Sequence, residues 1–291
     1  MISIPLPKLF DFNESLWFLD RNLDDCMHKV RDQEVRRVIV IEGKPVLIAV
    51  SQKENHLKIK QLTGTSADHS LITGFVKEWL DMDRDIAPFY KLLKKDPELR
   101  HLAVNYFGFR MVGIPDLFET LVWCILGQQI NLEFAYRLKR RIVELYGSYV
   151  EYDGGRYYIF PPPSSLAELD PGELRKLQVT TRKAEYITGV ARMFVNGDLS
   201  KEKLQALGSE EAMLAKLMKI RGIGEWTANY TVMKSLRGMN CVPYGDAGVH
   251  IALNRLKGIP KKNNRAEVDV VFSRFERWKT YLVYYLWRSL R

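Results

Sequence analysis

Asp246 is the residue of this sequence that is best placed to do chemistry. It follows the segment VPYG (242–245) and directly precedes AGVHIALNRLKG, whose pattern predicts a helix. Asp is a common N-cap residue, and the positive end of the helix dipole stabilises its negative charge. A capping carboxylate can also be a catalyst, because a fixed negative charge can stabilise a developing cation and direct a water molecule.

A glycine-containing turn precedes Asp246 by about twenty residues. The stretch LAKLMKIRGIGEWTANYTVMKSL (214–236) predicts an amphipathic helix, a turn and a second helix. Gly222 and Gly224 allow close backbone approaches, and the second helix begins with unpaired N–H groups that can bind a phosphate. Such a contact positions a nucleic-acid backbone without reading its sequence. A glycine turn by itself would equally suit a simple helical corner.

The charge distribution fits a polyanionic partner. The 44 Lys and Arg outnumber the 35 Asp and Glu, residues 1–100 hold 16 of each sign, and 101–291 hold 28 basic and 19 acidic residues. A basic solvated surface explains this excess as well as nucleic-acid binding does. Cys26, Cys124 and Cys241 are too widely separated for the spacings of a zinc site and too few for an iron–sulfur cluster.

The length, composition and hydropathy pattern predict a protein of about two domains in a reducing compartment. Apolar residues make up 46% and charged residues 27%, which is typical of globular proteins. No apolar run approaches the about 20 residues of a membrane span. The first residues have neither a basic leader nor a cleavable apolar stretch, so we expect a cytoplasmic protein without membrane contact.

The pattern changes along the chain and predicts an α+β fold. VRRVIVIEG, KPVLIAVS and HLKIKQL predict three strands, so residues 1–100 are expected to form a small antiparallel sheet domain with flanking helices. Residues 101–291 are expected to form an all-helical domain. One helix follows Asp116, a second lies between a cap at Asn131 and a stop at Gly147, and three prolines (161–163) form an extended connector before further helices.

These motifs together resemble the helix-hairpin-helix DNA glycosylase superfamily. KIRGIGEWTANY followed by VPYGDAGV is similar to its hairpin, Gly/Pro-rich loop and aspartate. FETLVWCILGQQINLEFAYRLKRRIVELYG, LQVTTRKAEYITGVAR and ERWKTYLVYYLW resemble the 3-methyladenine-DNA glycosylase II branch in the same order. The resemblance covers roughly 80–291 and the sheet region only faintly. It implies an enzyme of base excision repair that flips out alkylated purines such as 3-methyladenine and 7-methylguanine from double-stranded DNA.

The resemblance also implies roles for residues at the hairpin and the aspartate. Asp246 would be the catalytic carboxylate, and no cofactor would be needed for catalysis. The hairpin contacts to DNA are assigned to Ile220, Arg221, Gly222, Ile223, Gly224 and Thr227. The main-chain carbonyls of Met218, Ile220 and Ile223 would bind a structural monovalent cation, Na⁺ or K⁺.

Two residues depart from the pattern of the family. Gln129 matches the wedge that fills the gap left by a flipped base, where the family often has an apolar residue. Glu225 is acidic on the side that would face a phosphate, which it would repel. As a first-turn residue, Glu225 can instead offset the helix dipole.

Aromatic residues are assigned to the pocket for the flipped base. Trp226 and Tyr230 would share one helix face at i and i+4, and the resemblance adds Trp287 and Phe18. For an isolated pair, packing in the core would be the favoured interpretation. Because Trp226 stands where strand-cutting branches hold their Schiff-base lysine, we expect a monofunctional enzyme that leaves an abasic site. Lys219 and Lys234 do not stand at that position.

Two alternatives remain beside this interpretation, and a third is excluded. An 8-oxoguanine-type glycosylase/lyase shares the layout of sheet and helices, but Trp226 argues against its lyase chemistry. A non-catalytic helix-hairpin-helix DNA-binding protein would need neither Asp246 nor the aromatic pocket. An endonuclease III-like iron–sulfur enzyme fails for lack of cysteines. The expected partner is duplex DNA containing damaged bases, bound by a monomer.

Overall fold

The computed structural model describes residues 1–21, 23–64, 68–260 and 264–290. Its strands are β1 (Ile2–Pro5), β2 (Lys29–Arg31), β3 (Glu34–Ile41), β4 (Lys44–Lys53), β5 (His56–Gln61), β6 (Ser148–Tyr152) and β7 (Gly155–Ile159). Strands β1 to β5 form one antiparallel sheet in the order β1-β5-β4-β3-β2, and β6 pairs with β7.

The helices account for most of the remaining described chain. They are α1 (Phe12–Leu19), α2 (His69–Trp79), α3 (Ala87–Lys95), α4 (Leu102–Asn105), α5 (Leu117–Gly127), α6 (Leu132–Tyr146), α7 (Pro163–Ala167), α8 (Pro171–Lys176), α9 (Thr181–Val195), α10 (Lys201–Gln205), α11 (Glu210–Met218), α12 (Glu225–Ser235), α13 (Ala247–Lys257), α14 (Arg265–Ser273) and α15 (Lys279–Arg288).

The sheet confirms the α+β fold class and the three predicted strands. These are β3, β4 and β5, whose inward-facing residues, such as Val50, Leu57 and Ile59, are fully buried. The edge strands β1 and β2 are not predicted, because runs of four and three residues are too short to show an alternating pattern.

The predicted helix ends are also present. The Asp116 side chain accepts a hydrogen bond from the backbone N–H of Glu119, and that of Asn131 accepts one from Phe134. Gly147 ends α6. Short polar side chains at these positions satisfy backbone donors that the helix leaves unpaired.

A β-hairpin interrupts the helical region at one place in the described chain. Strands β6 and β7 are joined at Asp153 and Gly154, which both have positive φ angles of 50° and 69°. Two consecutive residues with positive φ form a tight two-residue turn whose backbone twist matches the right-handed twist of the strands that it joins. This hairpin corrects the prediction that residues 101–291 are all helical, and Asp-Gly between alternating aromatic residues is the hairpin signal that indicates it. After the proline connector, the described residues form only helices and loops, as predicted.

The C-terminal helix α15 lies in the centre of the core. Tyr281, Tyr284 and Tyr285 are fully buried and contact Phe89 or Phe109. This packing fixes the last turn of α15, where Trp287 lies, against the rest of the helical region. No helix among the described residues is long and apolar enough to cross a membrane.

Candidate active site

Asp246 caps α13, as the sequence predicts, and its carboxylate receives three hydrogen bonds. Oδ1 accepts from the backbone N–H of Val249 at 2.9 Å and from Trp287 Nε1 at 2.8 Å. Oδ2 accepts from Trp226 Nε1 at 3.3 Å. Both oxygens are therefore oriented by donors from three helices, and the side chain remains partly exposed.

A missing side chain allows Trp287 to reach this carboxylate. Gly248 lies in the first turn of α13, and a Cβ there would approach Trp287 Cδ1 to 2.9 Å and Asp246 Oδ1 to 3.1 Å. Real Cβ contacts are rarely so short. With any residue larger than glycine at position 248, the indole of Trp287 would have to move away from Asp246. The glycine thus permits the close contact between α15 and the start of α13.

Trp226 and Tyr230 form an aromatic wall beside the carboxylate. They lie on one face of α12 with ring centroids 5.1 Å apart and planes inclined by 24°. Tyr230 also contacts Trp287, at 6.1 Å between centroids, and its hydroxyl accepts a hydrogen bond from Trp123 Nε1 at 3.2 Å. The structure therefore brings Trp226, Tyr230 and Trp287 together at Asp246.

Phe18 lies deeper than these three residues. It stacks on Tyr284 with centroids 5.6 Å apart, and the guanidinium carbon of Arg21 lies 4.1 Å from its ring centroid. Its side chain is only 9% exposed. Tyr284 in turn contacts Trp287 at 5.4 Å. Phe18 therefore does not contact Trp287 directly but packs against Tyr284, which contacts Trp287.

The hairpin between α11 and α12 depends on Gly222. Its φ is +90°, and a Cβ there would lie 2.3 Å from the ring of Tyr186 on α9. Both the backbone conformation and the ring contact therefore require glycine. Ile220 and Ile223 are buried below the turn, whereas Arg221 is exposed and pairs with Glu185 at 2.9 Å.

The N-terminus of α12 has no side-chain cap. Gly224 is its N-cap residue, and Thr227 in the first turn is buried. Glu225, the residue expected to repel a phosphate, forms a two-point salt bridge with Arg265, at 2.6 and 2.9 Å. The guanidinium offsets the negative charge, so Glu225 does not leave this helix end with an unbalanced acidic group.

Gln129 is exposed and has a φ of +57°, an uncommon conformation for a residue other than glycine. The side chain of its neighbour Gln128 points instead to the hairpin. Gln128 Nε2 donates to the carbonyl of Gly222 at 2.9 Å and lies 3.4 Å from Thr227 Oγ1. A hydrogen bond from Gln128 therefore connects the loop that carries Gln129 to the hairpin between α11 and α12.

The carbonyls assigned to a monovalent cation partly fit such an ion. The carbonyl of Ile220 accepts from the N–H of Ile223 at 3.0 Å. In the described part of the chain, those of Met218 and Ile223 accept no backbone hydrogen bond outside regular elements. Carbonyl oxygens with spare lone pairs are suitable ligands for Na⁺ or K⁺.

Lys234 is buried at the inner end of the aromatic wall. Its Nζ donates to Tyr284 Oη at 2.7 Å and to the carbonyl of Val112. Burial lowers the pKa of Lys234 well below its ordinary value, and the nearby Arg21 acts in the same direction. Lys219 lies at the other end of the motif and is exposed.

A buried ionic cluster connects the sheet to the helices next to this lysine. Lys139 Nζ lies 2.8 Å from Glu119 and 3.5 Å from Asp25, and Arg37 of β3 lies 3.1 Å from Glu119. Burial alone would raise the pKa of Asp25, but Lys139, His28, Arg37 and the backbone N–H of Met27 together outweigh it and hold that pKa well below its usual range. Burial also lowers the pKa of the neighbouring His28.

No sequence pattern predicts several residues of this region. Arg265 and Arg21 follow no recognisable motif, since their partners are distant in the chain. The rings of Trp123 and Tyr136 lie 4.4 Å apart, but the sequence pattern indicates only that both occupy apolar positions of helices. Gln128 directly precedes Gln129, the predicted wedge, and this position in the sequence could have indicated a role for Gln128 near the hairpin.

Comparisons with known proteins agree with this geometry. The family model described as "HhH-GPD superfamily base excision DNA repair protein" matches residues 122–277, and "8-oxoguanine DNA glycosylase, N-terminal domain" matches residues 19–121. A Bacillus subtilis protein named DNA-3-methyladenine glycosylase is 39% identical over 295 residues, which cover all of this chain and 97% of the relative. DNA-3-methyladenine glycosylase 2 of Escherichia coli is 29% identical over 62% of this chain and 60% of its own length.

Solved structures share the fold. The 3-methyladenine DNA-glycosylase of Archaeoglobus fulgidus has a TM-score of 0.86 at 24% identity and covers 99% of this chain and 97% of its own. The 8-oxoguanine glycosylase/lyase of Clostridium acetobutylicum has a TM-score of 0.69 at 20% identity, covering 91% and 99%. The chain therefore belongs to the HhH-GPD superfamily of base excision DNA repair proteins and, within it, to the DNA-3-methyladenine glycosylase family.

Proposed function

We propose that this protein hydrolyses the N-glycosidic bond of alkylated purines in duplex DNA and leaves an abasic site. The single observation that carries the proposal is the carboxylate of Asp246, held by two indole N–H groups and a helix N-terminus beside an aromatic wall. The relatives named DNA-3-methyladenine glycosylase support 3-methyladenine as one substrate. We extend this to 7-methylguanine, because it is also a cationic purine.

The carboxylate would act on the sugar rather than on the base. As the glycosidic bond breaks, positive charge develops on the deoxyribose, and a fixed negative charge stabilises it more than it stabilises the ground state. The same carboxylate can orient and deprotonate the attacking water. An alkylated purine is already cationic, so it leaves as a neutral base without a separate general acid.

The aromatic wall would hold the flipped base. Flipping a base out of the duplex costs a few kcal/mol, and stacking on an aromatic side chain stabilises the flipped base by about 1–3 kcal/mol. Trp226, Tyr230 and Trp287 supply the rings next to Asp246, with Phe18 behind them. A positively charged base would gain roughly 0.5–2 kcal/mol more from a cation–π contact.

The hairpin would hold the DNA backbone while Gln129 fills the gap. Backbone N–H groups at Gly224 to Thr227, at the uncapped end of α12, suit a phosphate. The conformation and exposure of Gln129 suit a side chain that enters the duplex. A monovalent cation on the carbonyls of Met218, Ile220 and Ile223 would add positive charge near that phosphate. Action as a monomer stays a prediction.

The positions of the lysines support a monofunctional enzyme. Trp226 has no amine, and the Nζ of Lys234 is buried and already bonded to Tyr284 and Val112. A Schiff base needs an amine that reaches the sugar carbon. We therefore expect an intact strand that breaks only when alkali is added, and borohydride should trap little enzyme–DNA complex.

The experiment that tests this function uses duplex DNA treated with a methylating agent. The purified protein is incubated with it, and the released bases are separated by chromatography. We expect free 3-methyladenine and 7-methylguanine, with no strand breaks before alkali. Release of 8-oxoguanine with strand nicking from a matched oligonucleotide would instead favour an 8-oxoguanine glycosylase/lyase, as the similar protein of Clostridium acetobutylicum is named. Binding of duplex DNA without release of any base would favour a non-catalytic protein.

A further inference from the structure

The aromatic wall leads to a buried lysine. Trp226, Tyr230 and Lys234 are spaced four residues apart on α12 and therefore share one face of the helix. Trp226 contacts Asp246 at the outer end, whereas Lys234 lies two turns further in, about 12 Å along the helix axis. One stripe of side chains thus connects the carboxylate to an amine that the proposed reaction does not use.

The amine is surrounded by rings of the proposed base pocket. Lys234 Nζ lies 4.7 Å from the ring centroid of Phe18, 5.1 Å from that of Tyr284 and 6.0 Å from that of Tyr230. Together with Tyr230 and Phe18 it lines a cavity of about 40 Å³. The lysine therefore lies within 6.0 Å of the centre of Tyr230, one of the rings proposed to stack on a flipped base.

No ion pair among the described residues neutralises Lys234. The carboxylates that line the same cavity, Asp25 and Glu119, are already paired with Lys139 and Arg37. Burial raises the pKa of the other groups facing the amine and keeps them uncharged: Tyr136, Tyr230, Tyr284 and Cys124. Two further groups line this cavity, His28, whose pKa burial lowers, and the cationic Arg21.

We propose that Lys234 determines which charge class of damaged base the pocket accepts, with a neutral amine favouring cationic bases and an ammonium ion favouring neutral ones. This inference rests on the proposed function. A base stacked on Tyr230 would lie within about 10 Å of Nζ, and two like charges that far apart in a protein shift an equilibrium roughly tenfold. Because burial lowers the pKa of Lys234, its neutral form is more accessible than that of an exposed lysine.

The test compares Lys234→Met with Lys234→Arg. Methionine removes the charge and has a side chain of similar length. The hydroxyl of Tyr284, which loses the lysine as a donor, still donates to the carbonyl of Val112 at 2.8 Å. Arginine keeps a permanent charge. Single-turnover rates are measured on duplexes containing 3-methyladenine, which is cationic in DNA, or hypoxanthine, which is neutral. The ratio of the two rates should be at least tenfold higher in Lys234→Met than in Lys234→Arg.

Using a ratio separates charge preference from stability, because both rates come from the same protein. The exposed Lys94→Met serves as the matched control for loss of one positive charge and should keep the wild-type ratio. If Lys234→Arg does not fold, the wild type and Lys234→Met are compared across the whole pH range in which both stay folded. The wild-type ratio should then fall below that of Lys234→Met as the pH is lowered.

Equal ratios in Lys234→Met and Lys234→Arg, or coincident pH curves in the second comparison, would overturn the inference while leaving the proposed function intact. A wild-type protein that releases neither base would overturn both.

Discussion

Asp246 is held by donors of two chemical kinds. The backbone N–H of Val249 would bind any capping residue, whereas the indole N–H groups of Trp226 and Trp287 bind this carboxylate through tertiary contacts. Hydrogen bonds to a charged group are worth about 1.5–3 kcal/mol. The two tryptophans therefore fix the direction of the carboxylate that we propose as the catalytic group, in addition to the stacking proposed for them.

Phenylalanine substitutions separate these two roles. Trp287→Phe keeps an aromatic ring but removes the donor at 2.8 Å, so we expect excision to fall by roughly tenfold to a hundredfold. Trp226→Phe removes a longer bond of 3.3 Å and should cost less. Because the carboxylate is affected rather than the base, single-turnover rates on 3-methyladenine and hypoxanthine should fall by the same factor. A loss confined to the cationic lesion would assign the indole to stacking alone.

Individual site residues were predictable from the sequence where a local pattern contains them. Asp246 precedes its own helix, and Trp226 and Tyr230 are one turn apart on theirs. The bond from Trp287 to Asp246 was not predictable, because it joins residues 41 positions apart and depends on the absence of a side chain at Gly248. The salt bridge between Glu225 and Arg265 is non-local in the same way.

At the scale of elements, the loop that carries Gln129 and the hairpin between α11 and α12 form one unit. Gln128 fastens the loop after α5 to the carbonyl of Gly222, and Lys183 of α9 donates to the carbonyl of Leu126 at 2.7 Å. Tyr186, on the same helix as Lys183, packs against Gly222. Movement of the hairpin on a phosphate would therefore be transmitted directly to Gln129.

Substitutions at Gln128 test this connection. Gln128→Glu replaces a donor by an acceptor that faces the carbonyl of Gly222, whereas Gln128→Met only removes the bond. Burying an unpaired polar group costs about 1–3 kcal/mol. We therefore expect single-turnover excision to fall in both variants and to fall further in Gln128→Glu. Equal, wild-type rates in the two variants would show that the loop and the hairpin act independently.

The sequence predicted long elements well and short ones poorly. Helices such as α5 and α6 have clear caps and a repeating apolar face. The edge strands β1 and β2 are too short for such a pattern. The hairpin of β6 and β7 has an Asp-Gly turn signal, but its strands are five residues long and β7 packs on β3 through a tertiary contact. Sequence periodicity reports only what happens within one element.

At the scale of the whole molecule, the buried ionic cluster joins the sheet to the helical region. Asp25 and Arg37 come from the N-terminal part, while Glu119 and Lys139 lie on α5 and α6. The four side chains contain two charges of each sign. A buried charge is strongly destabilising once its partner is removed, so the cluster makes the two parts of the chain depend on each other.

Lys139→Met should destabilise the protein by about 3–5 kcal/mol, because Asp25 and Glu119 would then share one cation. The double substitution Lys139→Met with Glu119→Gln restores the charge balance and should recover part of this loss. Thermal unfolding measures both. A double variant less stable than Lys139→Met would contradict a charge-balanced cluster.

The same cluster predicts acid sensitivity. The folded protein holds the pKa of Asp25 well below its unfolded value, so this carboxylate stabilises the fold above the unfolded pKa of about 3.9. That contribution is lost as the pH falls toward the lower, folded pKa. The free energy of unfolding, measured by denaturant titration at several pH values, should therefore lose the contribution of Asp25 below about pH 4. The buried His28, whose pKa is also lowered, adds a separate decline below its unfolded pKa of about 6.5.

The most direct test of the mechanism is the excision rate of Asp246→Asn. The amide can still cap α13 and accept from Val249, so the variant should fold and bind lesion-containing duplex DNA. It lacks the negative charge, and its single-turnover release of 3-methyladenine should fall by roughly a hundredfold or more. A variant that binds normally and releases the base at close to the wild-type rate would contradict the assignment of Asp246 as the catalytic residue.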